Sequence, residues 1–299
     1  MQNELLIALL TGLGGMMGWG FSEFATKKSV DKIGTISSLV WAHVFGTIII
    51  FSILLFSKLF ITNVNIVFPT DLSEWLGIIF FGTLQTIVYY FSYKAFEKGK
   101  VGILSPIFAS FAVIVAILSV LVFGEALNIG FVPALVLIFG GVMLINLDLE
   151  SLKARRIRIK AVAGLKEIII ATILATVWTL GWDKFTGNKD WMVYTTLMFT
   201  FMTISAFLIA NLAKINLLEV KSGAWKFLWL IAAGEVVAYL AITLGYASTT
   251  YTSVVAILSG ASSLPTIILA RVFLKEKIAT IQTIGSLTII AGIVFLSIS

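Results

Sequence analysis

The sequence predicts an all-α membrane protein of ten transmembrane helices, arranged as two inverted five-helix repeats. Three observations predict it. The 299-residue chain is 59% hydrophobic and only 12% charged, about half the charged share of a soluble protein, and its mean hydropathy is +1.06. The apolar residues gather in continuous runs of about 20, the length that crosses ~30 Å of hydrocarbon, rather than in the alternating ~10-residue segments of barrel strands. The two halves of the chain also match each other when one is slid along the other. The chain has no Cys, so disulfides, thiolate metal sites and Cys nucleophiles are excluded, and its one His excludes any mechanism that needs two.

The ten runs follow in order. Run 5–26 opens the chain. The residues before it lack the basic region of a cleaved signal peptide, so the run is expected to be retained. It carries Gly14 and Gly18 at a spacing that allows close helix approach, then Trp19, then Glu23 four residues before Lys27. Run 33–57 holds the single histidine, His43. Run 75–93 starts a face of Gln85, Tyr89, Ser92 and Phe96, spaced i, i+4, i+7 and i+11 along one side of a helix. Run 103–123 begins at Pro106, and run 129–147 contains Gly140-Gly141. A polar stretch at 148–167, with Arg155, Arg156, Arg158 and Lys160, reads as a cytoplasmic linker between the halves. Run 166–183 brings Trp178 and Trp182 one turn apart, and run 193–212 is uninterrupted. Run 227–247 holds Glu235, roughly 12 Å deep at 1.5 Å per residue, on one face with Tyr239, Ile242 and Tyr246. Run 253–274 contains Pro265 at mid-span, where a kink or a broken helix is expected. Run 279–298 closes the chain with Gly285 and Gly292.

The internal match sets the architecture. A shift of about 151 residues carries Gly82 onto Gly234, Ala95 onto Ala247 and Glu125 onto Glu276, and a shift of 159 carries Trp19 onto Trp178. The repeats are then residues 1–150 and 151–299, each of five helices. Five is odd, so a tandem copy crosses the membrane upside down, an arrangement common among secondary transporters. Charge agrees: connections after odd-numbered runs hold 18 Lys and Arg, the remaining connections and termini 3. The positive-inside rule therefore expects both termini outside. It also accounts for the net charge of +6 without nucleic acid as a partner.

The chain resembles the drug/metabolite transporter superfamily, in particular its ten-span EamA-type members. The resemblance rests on Gly18-Trp19-Gly20-Phe21, on Tyr93-Lys94-Ala95 and Tyr246-Ala247, on the Glu125 and Glu276 connections, and on the stretch from Leu264 to Glu276 followed by Gln282 and Gly285. It implies a small-solute carrier in the cell membrane, with a central cavity lined mainly by spans 1, 3, 4, 6, 8 and 9. It names no substrate: metabolites and drug-like solutes both fit.

Polar groups inside hydrocarbon are costly, so each is a candidate. Glu235 could carry a proton, pair with a cationic substrate, or sit protonated against a neighbouring helix. Glu23 could serve the solute or form an interfacial pair with Lys27. His43 could act in transport or simply bond a backbone carbonyl. Gln85 and Tyr89 could recognise a polar solute or tie helices together. Trp19, Trp178 and Trp182 could wall a cavity or belong to the aromatic belt. Pro265 could mark a binding-site break or a structural kink. Tyr239 and Tyr246 share the Glu235 face, while Glu125 and Glu276 read as structural caps. The expected partners are a small-molecule substrate, protons and the lipid bilayer, with no cofactor. A non-transporting membrane scaffold and a membrane-embedded enzyme are the alternatives, the second opposed by the lack of HExxH, of Cys and of any mid-span Asp.

Overall fold

The computed structural model describes residues 2–60, 66–99, 101–125, 130–145, 163–274 and 279–298. The arginine-bearing part of the 148–167 linker and Glu276 lie outside the described residues. Among the described residues the regular elements are helices: α1 (Gln2–Phe60), α2 (Leu72–Lys98), α3 (Val101–Leu121), α4 (Phe131–Ile145), α5 (Leu165–Thr186), α6 (Trp191–Leu212), α7 (Trp225–Ser248), α8 (Thr252–Gly260), α9 (Ser263–Leu274) and α10 (Thr280–Ile298), with a short 3-10 turn at Ser222–Ala224. Six helical segments are long and apolar enough to cross a membrane, and Ile107–Leu121, Phe131–Ile145 and Thr280–Leu296 are shorter apolar helices.

Two elements differ from the sequence expectation. Helix α1 has 59 residues, which would extend about 90 Å if straight, three times the hydrocarbon thickness. The expected loop at 27–32 is helical instead. The chain turns at Gly34 alone, whose φ of 78° and ψ of 169° lie in a region essentially confined to glycine. Residues 2–33 and 35–60 are thus two limbs. The second difference lies in the run 253–274, which is two helices. The break falls at Ala261 and Ser262, not at Pro265. Pro265 occupies the first turn of α9, where a missing N–H costs no helical bond.

Small residues decide how closely the helices meet. Gly18 on α1 and Gly234 on α7 face each other so tightly that a Cβ on either would stand 2.5 Å from the other's carbonyl oxygen. Gly141 on α4 and Gly285 on α10 repeat this reciprocity at 2.6 and 2.7 Å. Further contacts recur in exchanged form. Helix α2 packs on α5 and α6, while α7 packs on the two limbs of α1. Helix α3 packs on α5, while α8 packs on α1. The largest apolar cluster of the core includes Trp178, Trp182, Phe199 and Tyr239, and smaller ones gather around Leu39, Leu228 and Leu104.

Candidate functional site

A cavity of about 60 Å³ runs between α1, α2, α3, α5 and the α8–α9 break. Helical spacing explains its walls. On the first limb of α1, Trp19, Ser22, Glu23 and Thr26 follow i, i+3, i+4 and i+7, and all four line the cavity. On α2 the expected face of Gln85, Tyr89, Ser92 and Phe96 lines it as a set, joined by Tyr93. Phe108 and Phe111 come from α3, Trp178 and Thr179 from α5, and Ser262 and Ser263 from the break. The wall is therefore largely aromatic, with hydroxyls, one amide and the Glu23 carboxylate set into it.

Glu23 accepts a hydrogen bond from Ser262 Oγ at 2.8 Å, which ties the first limb to the helix break. The alternative pairing with Lys27 does not form. Lys27 is bonded to Asp31 at 2.7 Å, one turn further on, and Glu23 turns inward. This corrects the interfacial-pair reading: a buried serine hydroxyl at a broken helix is within reach, and the Lys27 ammonium faces the next acidic side chain.

Glu235 is fully buried behind the cavity wall rather than on it. Its Oε1 accepts from Tyr93 OH at 3.0 Å and from Ser22 Oγ at 3.3 Å, and both donors line the cavity. Its Oε2 lies 3.8 Å from His43 Nε2, and neither residue lines the cavity. His43 is equally buried, and its Nδ1 lies 2.7 Å from the Leu39 carbonyl oxygen. Tyr239, one turn past Glu235, places its hydroxyl 2.5 Å from Gln85 Nε2 and donates to Tyr89 OH at 3.1 Å. Its ring packs edge-on against Trp19 and Trp178. Span 8 of the expectation therefore supports the cavity from behind and contributes no wall residue of its own.

The remaining candidates disperse. Trp182 stacks on Trp178 but turns its N–H to Thr243 Oγ1 at 3.0 Å, away from the cavity. Trp178 donates to the Phe81 carbonyl at 3.1 Å, so its polar edge is satisfied and its ring is free to form wall. Pro265 packs against Gly20 and is not a wall residue. Tyr246 lies buried toward the other end of the bundle. There Glu125 accepts from Ser253 N–H at 3.0 Å and so caps the start of α8, while Asp183 accepts from the Thr252 hydroxyl at 3.0 Å. Burial pushes the Glu125 carboxyl up from its ordinary value, and its bonds to Ser253 pull it part of the way back. Ser22, Thr26 and Tyr93 were not among the sequence candidates. The signal for the first two was their i+3 and i+7 spacing from Trp19.

No curated protein matches the sequence. Among solved structures, one crystal structure shares the fold at a TM-score of 0.72 and 16% identity, covering 97% of both chains. The EamA-like transporter family matches residues 6–147 and again 163–298, two copies that together take in nearly all of the chain. The chain thus belongs to the EamA-like transporter family and is a membrane transporter of the drug/metabolite superfamily.

Proposed function

We propose that this transporter is a secondary carrier that moves a small metabolite or drug-like solute across the cell membrane by alternating access, coupled to protons through Glu235. The observation that carries the proposal is the cavity. Its walls come from both family-matched halves, and it combines aromatic rings, hydroxyls and one carboxylate with no Lys or Arg among the described wall residues. Such a wall suits a neutral or cationic solute that carries a ring or another apolar body, because rings attract cations and Glu23 offers a carboxyl group that can accept a hydrogen bond. On this reading the limbs of α1 count as two crossings and α8–α9 as one broken span, for ten in all, five in each half. The reciprocal glycine crossings support an inverted pair of repeats, residues 1–150 and 151–299.

The test starts with a thermal-shift screen of the purified protein against amino acids, sugars and organic cations, since a bound solute raises apparent stability. A radiolabelled form of the best stabiliser should then show saturable counterflow in proteoliposomes. Absence of counterflow for every stabilising solute would favour a scaffold that binds without transport.

Orientation follows from the 18-to-3 charge split. Asn3→Cys and Thr250→Cys should react with an impermeant maleimide on intact cells, and Lys214→Cys only after lysis. Labelling of Lys214→Cys on intact cells would reverse the assignment.

A further inference from the structure

We propose that His43 and Glu235 form a dyad that holds one proton between them, loaded and unloaded through Tyr93 and Ser22. The geometry starts at the Leu39 carbonyl. A carbonyl only accepts, so at 2.7 Å it requires Nδ1 to carry the hydrogen. In the neutral ring Nε2 is then a lone pair, and it points at Glu235 Oε2 across 3.8 Å. Both atoms are buried and neither has another hydrogen-bond partner. A closure of about 1 Å brings them to hydrogen-bond length.

Charge counting fixes the resting content. One proton on either Oε2 or Nε2 gives a pair with no net charge. Removing it leaves one negative charge, and adding a second leaves one positive charge. Net charge is costly where water is excluded, so the one-proton state is favoured and the proton belongs to the pair, not to either residue. Among the described residues, no other charged side chain is hydrogen-bonded or ion-paired to the two. Tyr89 and Tyr93 from α2 and Tyr239 from α7 are the ionisable groups that face the pair, with Ser22 from α1 and Phe199 from α6. Glu23, the nearest cavity carboxylate in sequence, is turned to Ser262.

The exit is built on the other oxygen. For the proton to leave for the cavity, the carboxyl rotates to bring it to the oxygen facing Tyr93 and Ser22, and one of these hydroxyls turns to accept it while passing its own hydrogen to the cavity; both then turn back to donate to the carboxylate that remains. Thr26 Oγ1, which donates to the Ser22 carbonyl at 2.9 Å, lies 3.4 Å from Tyr93 OH, and all three hydroxyl residues line the cavity. The dyad therefore has a loaded, uncharged form and an unloaded, anionic form held by two hydroxyls. This gives the proton coupling proposed above a definite store. It rests on that reading for its purpose, not for its geometry.

The single histidine makes the test direct, because selective ¹⁵N labelling of the imidazole yields signals from His43 alone. The protein is titrated in proteoliposomes without added solute, while its ¹⁵N spectrum and the infrared band of a protonated carboxyl are followed. The wild type should change its Nε2 signal and its carboxyl band together, with Nδ1 remaining a hydrogen-bonded N–H. Glu235→Gln should remove the band and move the pH at which Nε2 responds by more than about one unit. An unchanged Nε2 titration in Glu235→Gln overturns the dyad. If that variant does not fold, His43→Gln replaces it: the band should persist but titrate at a different pH, and an unmoved band overturns the dyad. A coupled titration in a protein whose Glu235→Gln variant still accumulates solute would sink the coupling reading and leave the dyad standing. Independent titration with coupling lost would do the reverse.

Discussion

Glu235→Gln should abolish solute accumulation driven by a proton gradient, while exchange of solute for solute stays within about tenfold of the parent protein, or ~1.4 kcal/mol. The substitution isolates one property. A Gln side chain keeps the volume, and its carbonyl oxygen still accepts from Tyr93 and Ser22, so the cavity wall behind which it stands keeps its shape. What it loses is the ability to gain and release a proton. Gradient-driven uptake and counterflow are measured on the same proteoliposomes. Loss of both modes would instead show that Glu235 pairs electrostatically with the solute. Retention of both would make it a structural carboxyl, and the proton-carrier assignment would fail.

Gly18→Ala should be strongly damaging. Its new Cβ would lie 2.5 Å from the Gly234 carbonyl oxygen and 2.6 Å from the Ala238 nitrogen. Both are backbone atoms, so no side chain can swing aside and α1 must separate from α7. Overpacking of this kind costs about 1–3 kcal/mol or more. The same movement withdraws Ser22 from Glu235 and shifts Trp19 and Glu23 in the cavity wall. An apparent melting temperature several degrees lower in detergent is expected, together with loss of counterflow. Gly140→Ala is the control. Nothing lies within 4 Å of its added methyl, and alanine is the better helix former by roughly 0.5–1 kcal/mol, so it should be neutral or slightly stabilising. Equal stability of Gly18→Ala and the parent would show that the crossing has slack.

The sequence exposed some of this site and hid the rest for physical reasons. Helical period alone decides which residues of one helix share a face, so Gln85, Tyr89, Ser92 and Phe96 could be grouped before any neighbour was known. The cost of a carboxyl in hydrocarbon singled out Glu235 in the same way. Periodicity does not say which helices adjoin. The bonds from Ser22 and Tyr93 to Glu235, each more than a hundred residues apart in the chain, are therefore invisible in it. Glu23 shows the opposite failure. A favourable i, i+4 partner was present in Lys27, but tertiary packing offered Ser262 to one and the next turn offered Asp31 to the other. The helix boundaries were blurred where a single residue carries the turn, as at Gly34, because an apolar count sees length and not backbone angle.

The Gly141–Gly285 crossing has a mechanical meaning. Helices α4 and α10 contribute no wall to the cavity, yet they bring the ends of the two halves together with each backbone seated against the other. A contact without free volume resists sliding, since any axial shift drives Ile289 and Ile145 into the opposing glycines. It does not resist a small turn about the point of contact. Under the alternating access proposed above, such a crossing would serve as a fulcrum on which one half turns against the other, so helices outside the cavity wall would guide those that form it.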